Sequence, residues 1–68
     1  MKIYIEDKPF STVRYYAGEV TELDQTYPFT IMEDTNLIDV TFTENTPPFE
    51  KALKETIVSR FIYEKSVK

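Results

Sequence analysis

The 68-residue chain predicts a small α+β domain: an antiparallel sheet of three to four strands with one C-terminal helix packed on one face. Three observations point there. Residues 1–45 are rich in β-branched and aromatic side chains that alternate with polar ones, the period of half-buried strands. Thr46-Pro47 is a helix start signal, with a hydroxyl to cap and a proline whose missing N–H costs nothing in the first turn. From Phe49 onward, apolar residues return every four positions as Leu53, Ile57 and Phe61, the row of an amphipathic helix.

The elements follow in order. Met1, Ile3 and Ile5 alternate with Lys2, Tyr4 and Glu6, predicting a first strand. Asp7-Lys8-Pro9 is a turn, and residues 10–16 read as a second strand. Ala17-Gly18 marks a bulge or a tight turn before Glu19-Val20-Thr21, and one continuous, bulged strand is expected. Residues 27–32 and 37–43 form a hairpin around Glu33-Asp34-Thr35-Asn36. An even loop pairs Ile31 with Ile38, Phe29 with Val40 and Tyr27 with Phe42, all on one face. A one-residue slip would mix the faces, so parity selects this register. Pro28 cannot donate to a ladder and is expected at a strand start or on an edge.

The helix is assigned to 46–65 and is expected to be helical through Tyr63, since no Gly or Pro interrupts the run. Its apolar surface is broad, because Val58 and Ile62 lie beside the main row. The helix could twist across the sheet, be covered by a second subunit, or give way to a strand over Ile57–Tyr63. The first and second keep the helix intact, and the second makes Val58 and Ile62 the seam of a homodimer. The expected core is Ile3, Ile5, Val13, Phe29, Ile31, Ile38, Val40, Phe42, Leu53, Ile57 and Phe61, in a single domain spanning 1–68.

Size supports association. A chain of 8.0 kDa buries only about 60% of its unfolded surface, and it has no Cys or His to supply a disulfide or a zinc site. An aromatic core is one remedy, with Phe and Tyr making up 15% of residues; a second chain is the other.

The same absences narrow the chemistry. Cys–His and Ser–His–Asp nucleophiles, redox CxxC pairs and haem attachment all need residues the chain lacks. With one Gly, a phosphate-cradling loop or a dinucleotide-binding turn cannot be written. The serines have no general base at a telling spacing, so no enzyme activity and no cofactor are expected. Asp24, Glu44 and Asn45 have the ligand types of a divalent-cation site but no recognised spacing. No apolar run approaches the length of a membrane span, and Lys2 and Glu6 interrupt any signal-peptide apolar region. A cytoplasmic protein without a membrane partner is expected.

Charge is distributed unevenly. The net charge is −4, divided as +1 over residues 1–14, −8 over 15–50 and +3 over 51–68. The acidic middle suggests a partner surface at Glu33 and Asp34, where a single-sign field attracts a basic protein. The expected function is therefore a non-catalytic interaction or regulatory module, homodimeric and acting by protein–protein contact. Two alternatives come from other classes. One is a single-stranded nucleic-acid binder using exposed Tyr4, Tyr15 and Tyr16 with Arg14 in a local basic patch, against a pI of about 4.6 that disfavours it. The other is an acidic inhibitor that imitates nucleic acid.

Overall fold

The computed structural model describes residues 1–10, 14–35 and 37–67. Four strands, β1 (Lys2–Ile5), β2 (Tyr15–Glu22), β3 (Gln25–Glu33) and β4 (Ile38–Phe42), are followed by one helix, α1 (Glu50–Ser66). Every strand pairs antiparallel with its neighbour in sequence, in the order β1-β2-β3-β4. The sheet is thus a meander, with α1 on one face. The α+β architecture expected from the sequence is the one observed.

Strand alternation sorts the side chains into two faces. Toward α1 point Ile3 and Ile5 of β1, Tyr16 and Val20 of β2, Tyr27, Phe29 and Ile31 of β3, and Ile38, Val40 and Phe42 of β4, all members of one apolar cluster or packed against it. From the helix, Leu53, Ile57 and Phe61 are buried, one residue per turn along a single row. Phe29, Ile31, Val20 and Ile57 are the largest side chains fully removed from water. Aromatic edges close two sides of the cluster, Phe29 on Phe42 at 6.2 Å and Tyr16 on Phe61 at 4.9 Å, a geometry that the ring quadrupole favours.

β2 corrects the expected bulge. Its pairing with β3 runs without interruption through Ala17 and Gly18, Gly18 also pairs with Ile5 of β1, and Glu6 N–H donates to the Ala17 carbonyl at 2.9 Å. Gly18 is there for proximity: a Cβ at this position would lie 2.5 Å from the Tyr4 carbonyl oxygen and 2.7 Å from the Phe29 ring. The missing side chain leaves the hollow that Phe29 fills. The second strand also starts later than expected, at Tyr15, and Val13, expected in the core, lies outside the described residues. Tyr16 and Val20 take the core places on β2 instead.

β2 and β3 form a hairpin that the sequence reading does not contain. Glu22 pairs with Gln25, leaving Leu23-Asp24 as a two-residue turn with both φ positive, at 51° and 62°. Such turns match the right-handed twist of the strands but favour Asn and Gly, which explains why Leu-Asp carries no signal.

The β3–β4 hairpin has the expected parity and a register displaced by two. Ile31 faces Val40 and Phe29 faces Phe42, so the predicted pairs Ile31–Ile38, Phe29–Val40 and Tyr27–Phe42 are not formed, yet the same residues share the core face. The reason lies in the turn. Asp34 N–H donates to the Leu37 carbonyl at 2.8 Å and Leu37 N–H returns to the Asp34 carbonyl at 3.5 Å. Asp34 Oδ1 also accepts from Thr35 N–H at 2.7 Å. The ladder therefore continues up to Asp34 and Leu37 rather than ending at Met32. Pro28 sits inside β3 rather than at its start. Its nitrogen is directed toward the β4 side, where β4 has already ended, and its carbonyl accepts from Thr43 N–H at 3.1 Å.

α1 starts at Glu50, not at Thr46-Pro47. Its N-cap is Phe49 in the left-handed region (φ 59°, ψ 39°), without a side-chain cap, and its first bond runs from Leu53 N–H to the Phe49 carbonyl at 3.0 Å. The second proline is responsible. A residue before proline is pushed out of the α region, so Pro48 excludes Pro47 from a first helical turn. Pro47 is buried instead. Phe49, expected on the core row, is 80% exposed. The helix then continues through Ile57–Tyr63 to Ser66, and a strand over those residues does not occur.

Candidate functional site

The residues singled out in the sequence fall into three regions. Glu33, at the end of β3, points to the helix side of the sheet. Both of its carboxylate oxygens accept from Lys65 Nζ, at 2.7 and 2.6 Å, and Arg14 Nη1 lies 3.5 Å away. Lys65 is itself stacked above aromatic rings, 5.6 Å from the Tyr16 centroid and 5.2 Å from that of Phe61. A cation is attracted to both the ring faces and the carboxylate, so this cluster fastens the last turn of α1 to the end of β3. Beside it lies a shallow cleft of about 220 Å³ lined by Ile5, Tyr16, Phe61, Glu64 and Lys65, below the size usual for small-molecule sites.

Glu33 and Asp34 sit in different surroundings. The Glu33 side chain is only 17% exposed and faces two cations, while Asp34 is exposed and caps its own turn. Arg14 lies near the same carboxylate, but its side chain is 67% exposed. Tyr15 is half-buried, with its ring 6.0 Å from that of Phe10. Asp24, Glu44 and Asn45 are not joined by strand pairing, since contact between β3 and the chain after β4 goes no further than the Thr43–Pro28 bond. Among the described residues there is no group of three or more acidic side chains placed to hold a metal ion, and no helix long and apolar enough to cross a membrane.

The second region is the sheet face opposite α1. Alternation places there Lys2 and Tyr4 of β1, Tyr15, Ala17, Glu19 and Thr21 of β2, Thr26, Pro28, Thr30 and Met32 of β3, and Asp39 and Thr41 of β4. Cross-strand neighbours make rows: Tyr15–Met32–Asp39, Ala17–Thr30–Thr41 and Tyr4–Glu19–Pro28. Small side chains fill the middle and larger ones ring it. The Thr21 and Thr26 hydroxyls hydrogen-bond at 3.1 Å. Glu19 and Asp39 outnumber Lys2 on this face.

The third region is the outer edge of β4. A groove of about 370 Å³ runs between this edge and the helix, lined by Ile38, Val40, Lys54, Glu55 and Val58. Val58, half-buried, belongs to the helix row Lys54–Val58–Ile62, and Ile62 is 49% exposed. These are the two helix residues the sequence marks as a seam, and both lie on this row. Sequence reasoning does not reach Lys65, whose partner Glu33 is 32 positions away, nor the uncovered face, which exists only once β2 and β3 are paired. The chain matches no protein-family model, no curated protein and no solved structure.

Proposed function

We propose that this chain is a non-catalytic interaction module that binds a partner protein on the sheet face opposite α1. One observation carries the reading: α1 covers a single face of the sheet, and the other presents Tyr15, Ala17, Pro28, Thr30 and Met32 as a continuous half-buried patch. A flat surface with small residues at its centre and Tyr at its margin offers shape and apolar area with little side-chain entropy to lose. Glu19 and Asp39 on the same face favour a partner with basic groups at its rim and oppose a phosphate backbone.

The test is a photo-crosslinking amino acid placed at Thr30, with Glu55 on the outer helix surface as the comparison. Discrete adducts at Thr30 in the native host, lost when Ala17→Arg is added, support the reading. Equal labelling from both positions, or none from Thr30, rejects it. Oligonucleotide binding at low salt that weakens in Arg14→Ala would replace it with the nucleic-acid reading.

A further inference from the structure

β1 and β4 are the two edges of the sheet, and they are not equivalent. Hydrogen bonding in an antiparallel ladder alternates along each strand. Asp34–Leu37 and Thr43–Pro28 are bonded pairs, so the odd-numbered residues of β4 turn their N–H and C=O groups toward β3. Ile38, Val40 and Phe42 turn theirs outward. Natural sheets protect such an edge with lysine, proline, a bulge or a covering segment. β1 is four residues long and begins with Lys2. β4 reads Ile-Asp-Val-Thr-Phe, with no basic residue, no proline and a regular register. Of the four strands, β4 is also the one α1 runs closest to, and the groove between them continues the edge with Val58.

We propose that β4 pairs antiparallel with β4 of a second copy across a two-fold axis at Val40, joining two sheets into one with both helices on the same side. Two observations select a second copy. The first is register: centring on Val40 pairs all five residues, sets Ile38 beside the partner's Phe42, and places Asp39 opposite the partner's Thr41. Centring on Asp39 would put two carboxylates face to face, which is destabilising. The second is self-complementarity, which an isologous contact requires. The groove has an apolar middle, Val40 and Val58, and a wall bearing both signs, Lys54 and Glu55.

The pairing is independent of the partner surface proposed above, because it uses the edge and not the face of the sheet. The test is chemical synthesis of the chain with an N-methyl group on Val40. This removes one outward N–H and leaves every side chain and every bond to β3 in place. By sedimentation equilibrium at micromolar concentration, the unmodified chain is expected at twice 8.0 kDa, and N-methylation raises the dimer dissociation constant by about tenfold or more. Thr30→Arg, on the open face, leaves the dimer intact. Hydrogen exchange gives a readout without any variant: the Val40 amide should exchange slowly at high concentration and quickly on dilution, with the Thr41 amide slow in both. A monomeric unmodified chain, a dimer indifferent to the N-methyl group, or a Val40 amide whose exchange ignores concentration overturns the proposal.

Discussion

Gly18 and Leu23 are two residues at which backbone and side-chain demands meet in opposite ways. At Gly18 the neighbours forbid a side chain, since both the Tyr4 carbonyl and the Phe29 ring occupy the space of a Cβ. Gly18→Ala should destabilise the chain by about 1–3 kcal/mol, the usual cost of overpacking, seen as a lower midpoint in urea. At Leu23 the backbone asks for a residue the chain does not have. A leucine 85% exposed with φ at 51° gains nothing from burial and is strained in the left-handed region. Replacing Leu23-Asp24 by Asn-Gly should raise stability by about 1 kcal/mol, read as a higher thermal midpoint. These two positions also show where legibility ends. The alternation of Tyr16, Gly18 and Val20 with Tyr15, Ala17 and Glu19 is visible in the sequence. A glycine within it reads equally as a bulge, and only the position of Phe29 separates the two. The Leu23-Asp24 turn has no such trace, because its conformation is imposed by the strands on either side.

For single elements, the helix is the instructive case. Its extent through residues 57–63 was legible, because a four-residue apolar period without Gly or Pro has few other solutions. The sequence points to a start four residues before the observed one, because Pro47 satisfies the rule for a first helical position when taken alone; Pro48 cancels it. Its far end is secured by Lys65, paired with Glu33 and seated over Tyr16 and Phe61. Glu33→Gln should cost about 1 kcal/mol, in the range for a surface pair, and the loss should concentrate at one place. Amide exchange over Ile62–Ser66 should accelerate while that of Leu53 and Ile57 changes little. High salt should reproduce part of the effect in the unmodified chain. The strand-pairing face was legible from parity alone; the register was not, since Asp34 and Leu37 close a tighter turn than the β-branched runs imply.

For the molecule as a whole, the apolar cluster is small enough for single side chains to matter. Phe29 lies across Gly18, touches Phe42 and is 1% exposed. Phe29→Ala should cost about 3–5 kcal/mol against a total of about 3–10 kcal/mol for a chain of this length. The variant should therefore be mostly unfolded by circular dichroism at 37 °C, while Phe49→Ala, at an exposed position, should fold normally. Ile5, Phe29, Ile31, Val40, Leu53, Ile57 and Phe61 were legible as core because each repeats at the period of its element. Surfaces were less so. Val58 and Ile62 stand out as a second helix row, but the open face and the β4 edge are properties of the assembled sheet and belong to no single segment.

The strand order has a kinetic meaning. Each strand of the sheet pairs with the one before it, so every hairpin closes across a short stretch of chain, and the entropy lost in each closure is small. Chains dominated by such local pairings cross their folding barrier quickly. Among the described residues, the distant closure is the return of α1 onto the completed sheet, where Phe61 meets Tyr16 and Lys65 meets Glu33. That docking, more than any strand pairing, should set the pace of folding. Until it occurs, Val20, Phe29 and Ile31 are open to water, and the interval is the one in which the chain is most prone to stick to others.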